Sequence, residues 1–106
     1  MKDIVVNYEV WQANKNTSDG AKILFLHYDW AEEKGLVPTK ENYKKVYEGT
    51  IKPYTRLNAT LEAIYTKHQF GVGGYKGHSL SVSDIIVLND VAYYTDAFGF
   101  KQIIFE

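Results

Sequence analysis

Residues 77–84 read GHSLSVSD, one histidine, three serines and an aspartate within eight positions. Hydroxyl, imidazole and carboxylate are the parts of nucleophilic catalysis: a serine attacks, a histidine takes its proton and a carboxylate orients the ring. Ser79, Ser81 or Ser83, with His78 and with Asp84 or Asp96, would supply such a set. A triad, however, is assembled in space from separate segments, and the G-x-S-x-G elbow that exposes an attacking serine is missing. The same letters also read as a half-buried strand, Leu80 and Val82 pointing inward and Ser79, Ser81 and Ser83 outward. Short hydroxyls bond neighbouring amides readily, and Asp84 would fix the turn before the apolar run IIVL. The structural reading is the expectation, with no catalytic residue assigned.

Other chemistry fares no better. The run GVGGYKG at 71–77 has its third glycine one place late for a dinucleotide loop, follows a helical pattern rather than a strand, and lacks the Lys-Ser/Thr ending of a P-loop. Glycines there serve a helix exit. His27, His68 and His78 are too far apart for H-x-x-x-H or H-E-x-x-H spacing, and with no cysteine the chain has neither a thiolate zinc set nor a disulfide framework. No cofactor or metal is expected. Carboxylates are plentiful, but nothing selects a pair for glycoside chemistry.

The elements that must position these residues follow from periodicity. Residues 4–11 (IVVNYEVW) alternate as a strand, 13–20 carry turn chemistry, and 22–28 (KILFLHY) read as a second extended segment. Residues 29–35 read as short helical turns capped by Asp29 and stopped by Gly35, and 38–43 as another turn capped by Thr39. Residues 43–51 lean towards a strand. The clearest helix spans 56–70, where Leu57, Leu61, Ile64, Tyr65 and His68 recur at steps of three and four. Beyond the glycines, 81–88 read as a strand, Asn89-Asp90 as a tight turn, 92–96 as the hairpin partner, and 98–105 as a last strand entered through Gly99. This predicts one α+β domain over residues 1–106: a mostly antiparallel sheet, one main helix and a C-terminal β-meander. Leu57, Leu61, Ile64, Ile86 and Leu88 should share one core with Tyr8 or Val10.

A 106-residue chain, 45% hydrophobic and 24% charged, has the balance of a soluble globular domain rather than a disordered or membrane-spanning one. The N-terminus lacks the apolar block of a secretory signal, which makes the cytoplasm the expected compartment. Net charge is −1 with both signs scattered, so no phosphate-backbone footprint is present, and the local runs KENYKK and KPYTR read as solvated faces. Aromatic residues reach 15%, including nine tyrosines and two tryptophans. In so small a domain some of these rings reach the surface, and Trp11, Trp30, Tyr93 and Tyr94 are the candidate contact aromatics beside His78, Ser79, Ser81 and Ser83.

Taken together, the strand Y-E-V-W, the middle Y-x-x-V-Y-x-G of residues 43–49, the helical L-x-A-I-Y, GHSLSVSDIIVLN and YYTDAFGF resemble a YodL-like domain. The resemblance covers essentially the whole chain. Its signature positions here are Gly77 and Asp84 in the first block and Asp96, Phe98 and Gly99 in the second. Such a resemblance implies a small bacterial module carried on mobile genetic elements, non-enzymatic, binding a host protein, with one branch linked to actin-like cell-shape machinery. Two alternatives stay open beside it: an anti-defence inhibitor of a host nuclease, and a cryptic hydrolase using His78 and a serine.

Overall fold

Alternating β-branched and aromatic residues select extended backbone. In the computed structural model, which describes residues 4–69 and 77–106, that pattern gives β1 (Val6–Ala13), β2 (Tyr43–Ile51), β3 (Ile85–Leu88), β4 (Val91–Thr95) and β5 (Phe100–Ile103). They form one antiparallel sheet in the order β2-β1-β3-β4-β5, so the fold is α+β with a C-terminal meander of the last three strands. The first strand is interior: Tyr8 lies opposite Gly49 on one side and Leu88 on the other. Asn89 and Asp90 turn the β3-β4 hairpin with φ of +50° and +68°, the double positive φ that matches strand twist and that Asn and Asp tolerate.

Among the described residues, three helices accompany the sheet: α1 (Ser18–Ile23), α2 (Tyr28–Glu33) and α3 (Leu57–Lys67), with a 3₁₀ turn at Lys40–Asn42. Leu61 and Ile64 of α3 join Tyr8, Val10, Val46, Leu80, Ile86, Leu88 and Tyr93 in one buried cluster. Ile23 of α1 and Ala31 of α2 join Ala13, Leu36, Tyr43, Ile85, Ala92 and Tyr94 in a second. The sheet is therefore clad on both faces, the second by two helices of six residues each.

A β-bulge lets β2 serve both layers. Val10 pairs with Tyr47 but Trp11 with Lys45, leaving Val46 as the extra residue. Tyr43 consequently faces the α1 and α2 cluster, whereas Val46 and Tyr47 face α3.

Several expectations are corrected. The segment 22–28 is not a strand: it ends α1, turns through Phe25 at φ +66°, and enters α2. Thr17, read as turn chemistry, caps α1 by accepting the Gly20 N–H on Oγ1 at 3.0 Å. Asp29 does not cap α2, which starts one residue earlier behind His27. The third strand begins at Ile85 rather than residue 81, and the fifth at Phe100 rather than 98. Leu57 shares the helical stripe but sits at the first residue of α3, ahead of the buried cluster, and is 47% exposed. Residue 70 and most of the glycine run lie outside the described residues.

Truncating Leu61 or Ile86, both fully buried, to alanine should cost about 2 to 5 kcal/mol in a urea titration. Leu57→Ala should stay within about 0.5 kcal/mol, the range of ordinary surface changes. A large loss at Leu57 would contradict the described placement of α3.

Candidate functional site

Period two carries β1 inward through Val6, Tyr8 and Val10 to Gln12, which is fully buried. Its side-chain amide grips the peptide of His78 in both senses: Oε1 accepts the His78 N–H at 3.1 Å, and Nε2 donates to the His78 carbonyl at 2.8 Å. The second Nε2 hydrogen goes to Asp84 Oδ2 at 3.0 Å. An amide nitrogen has two hydrogens, and these are its shorter contacts, so the His78 Nδ1 at 3.2 Å is assigned as the donor to the Ser79 carbonyl at 2.8 Å. Gly77 is required by this embrace, since a Cβ there would lie 2.1 Å from Gln12 Oε1 and 3.1 Å from Val46 Cβ.

Asp84 closes the turn as the sequence predicts. Its Oδ2 also accepts the Ser81 N–H at 2.8 Å, and its own N–H reaches the Ser81 carbonyl at 3.1 Å. Ser83 is not an outward strand residue: it adopts φ +81° and is wholly buried. The Ser83 carbonyl accepts the Tyr43 hydroxyl at 2.7 Å. Among the described residues, Asp84 Oδ1, Ser81 Oγ and Thr95 Oγ1 are buried without a hydrogen-bond partner.

Burial dominates the electrostatics here. It pushes the Asp84 carboxyl up to about 7, against the smaller opposing pull of the Ser81 amide and Gln12. Further along the same face of β1, burial pushes His68 down to about 4, with Lys67 beside it acting in the same direction. His68 Nε2 lies 3.0 Å from the Tyr8 hydroxyl. Tyr43 is likewise raised, chiefly by burial.

The signature residues converge on one short stretch of backbone. Ser83 Oγ accepts the Phe25 N–H at 2.9 Å, the Tyr94 hydroxyl donates to the Leu26 carbonyl at 2.7 Å, and Asp96 Oδ1 accepts the Tyr28 N–H at 3.2 Å. Asp96 thus satisfies the first amide of α2, for which His27 offers no side-chain cap. Asp96 Oδ1 also accepts the Ala97 N–H at 2.9 Å, and the Asp96 N–H reaches the Gly99 carbonyl at 3.0 Å. Gly99, at φ +84°, closes this β4-β5 turn.

What these tethers hold up is aromatic and exposed. Phe98 stands at the turn's tip, 97% exposed, and Trp30 on α2 is 56% exposed. Trp30 stacks on His27 with ring centres 5.2 Å apart and planes within 13°. His27, Asp29, Trp30, Asp96, Ala97 and Phe98 line one cleft of about 190 Å³. Phe25, also 56% exposed, leans on the His78 ring at 5.5 Å.

The predicted site residues therefore divide. His78 and Ser79 are exposed, Ser81 is half-buried and Ser83 is buried. Tyr93 and Tyr94 are core residues rather than surface aromatics, because β4 is an interior strand covered on both faces. Trp11 is half-buried, edge-on to Phe105 at 5.2 Å, with its indole N–H donated to Glu9 Oε1 at 2.8 Å. Trp30 alone of the four proposed aromatics is broadly exposed. Sequence reasoning missed Gln12, His27 and Phe25. For Gln12 the signal was present, an amide at the next inward position of an alternating strand, where a polar group must be bonded. Within the described residues no three His, Cys, Asp or Glu side chains gather as a metal set, and no helix is long and apolar enough to cross a membrane.

The chain that folds in this way matches the family model for the YodL-like domain over residues 7–105 and belongs to that family. No curated protein and no solved structure matches the chain.

The two shifted groups make a pH prediction. A raised Asp84 favours folding below its ordinary 3.8 and loses that contribution as pH rises to about 7. A lowered His68 favours folding above 6.5 and loses that contribution as pH falls to about 4. Between these limits the slopes oppose, each being about 1.4 kcal/mol per pH unit at most. Wild-type stability by urea titration should thus change little from pH 4 to 6.5. Asp84→Asn, which keeps an acceptor for Gln12 and Ser81, should leave stability rising with pH across that window. His68→Gln should leave it falling. An Asp84→Asn profile as flat as the wild type's would show that Asp84 titrates as an ordinary carboxylate.

Proposed function

We propose that this YodL-like domain is a non-catalytic protein-interaction module whose contact is the aromatic knuckle of His27, Trp30 and Phe98. The observation that carries the reading is Phe98, almost wholly exposed on a turn fixed by Asp96 and Gly99. A rigidly presented ring contributes binding area at little entropy cost, and aromatic anchors dominate protein contacts. Exposed neighbouring aromatics on one cleft are the pattern of a binding patch. The non-catalytic part is supported by the commitment of the serines: Ser83 is sealed in the core and its hydroxyl holds Phe25, while Ser81 Oγ is buried. The family resemblance supplies the wider setting of the proposal, a bacterial mobile element and a host target such as actin-like cell-shape machinery.

The test is affinity capture from bacterial lysate with immobilised domain. Trp30→Ala and Phe98→Ala should melt as the wild type does yet lose the captured partner, each by about 2 kcal/mol, roughly 30-fold in affinity. Leu57→Ala, another exposed apolar site, serves as the control and should retain it. Recovery of an actin-like protein supports the cell-shape reading, and recovery of a nuclease with loss of its activity moves the module to the anti-defence class. Hydrolase activity that vanishes with His78→Ala would overturn the proposal.

A further inference from the structure

Resting on that reading, we infer that the cleft between Trp30 and Phe98 receives a basic side chain of the partner, an arginine guanidinium, seated on the aromatic rings and paired with Asp29 and Asp96. The cleft joins aromatic faces with carboxylates and contains no basic side chain apart from the His27 imidazole. Aromatic rings attract cations through their negative faces, Trp most strongly, and the planar guanidinium stacks as well as pairs. Stacking on His27 fixes the orientation of the indole. Asp96 spends Oδ1 on the Tyr28 and Ala97 amides, which leaves Oδ2 without a partner among the described residues. Asp29 is exposed in the first turn of α2 and is followed on that helix by Glu32 and Glu33, so the approach is acidic. The neighbouring Lys101 is occupied over the Tyr28 ring at 5.0 Å.

Size points the same way. At about 190 Å³ the cleft is smaller than the roughly 300 to 1,000 Å³ of small-molecule and cofactor pockets, and suits one side chain. An apolar plug would leave the two carboxylates desolvated and unpaired, whereas a guanidinium satisfies both.

The probe is N-acetyl-arginine amide, titrated into isotopically labelled domain, with N-acetyl-citrulline amide as its uncharged isostere. The indole N–H resonance of Trp30 and the amide of Phe98 should shift saturably with the arginine compound, while the Trp11 indole, bonded to Glu9, stays in place. Citrulline should bind roughly tenfold more weakly or not at all, and Asp29→Asn and Phe98→Ala should each weaken the arginine response several-fold. Equal responses to arginine and citrulline, or no shift at Trp30, would overturn the inference. If arginine fails while Phe98→Ala still abolishes partner capture, the basic-side-chain inference falls and the interaction reading stands. If arginine binds but capture survives Phe98→Ala, the cation site stands and the knuckle is not the partner's contact.

Discussion

The buried side-chain amide of Gln12 is the contact on which the rest of this structure depends. It lies in β1, which pairs with β2 and β3, and it replaces with one side chain what would otherwise be a strand partner for the His78 peptide. Deleting it would take a hydrogen bond from three polar groups at once: the His78 N–H, the His78 carbonyl and Asp84 Oδ2, which would keep only the Ser81 N–H. An unpaired buried group costs about 1 to 3 kcal/mol, comparable with losing a large core side chain. The requirement for Gly77 and the position of Asp84 both follow from this one amide. Asp84 in turn fixes Ser81 and, through the Thr95 backbone, the start of the β3-β4 pair.

From that anchor the constraint passes to the opposite face. Helices of six residues are far below the length that holds together unaided, so α1 and α2 depend on what they dock against. Part of that support is apolar, through Ile23 and Ala31. The rest is three side-chain bonds from Ser83, Tyr94 and Asp96 to the backbone of residues 25–28. The ring of Tyr28 also sits edge-on to Tyr94 at 5.2 Å.

Much of this was legible in the sequence wherever local periodicity and burial agree. The first and fourth strands, the helix around Leu61 and Ile64, and the core of Tyr8, Val10, Ile86 and Leu88 obey patterns of two or 3.6, and the Asn89-Asp90 turn follows from its residue types, whereas the second strand shows only a leaning because its bulge breaks the alternation. The failures share a cause. Residues 22–28 carry strand-like letters, but the Phe25 and Tyr28 amides and the Leu26 carbonyl are satisfied by side chains more than fifty positions away, which no window of local sequence displays. Ser79, Ser81 and Ser83 alternate on paper, yet the left-handed Ser83 breaks the alternation and turns its hydroxyl inward. Tyr93 and Tyr94 are adjacent and point to opposite faces, and both are buried because both faces are clad. A reading with one helix on one face leaves one of them at the surface.

The same geometry explains why GHSLSVSD, which looked chemical, lies close to a surface of aromatic rings and carboxylates. Buried polar groups are a costly way to hold a fold, and apolar contacts of equal volume would often be as stable. What polar tethers add is geometry: a hydrogen bond to a particular N–H fixes position where an apolar contact tolerates sliding. Ser83, Tyr94 and Asp96 each spend a polar atom on residues 25–28, the stretch shortly before Trp30, and Asp96 also sets the turn carrying Phe98. Two rings borne on separate elements, a six-residue helix and a hairpin tip, are thereby brought to the rim of one cleft, with Asp96 bonded to both elements. The polar side chains of the two signatures together position a rigid, exposed, acid-flanked pair of aromatic rings.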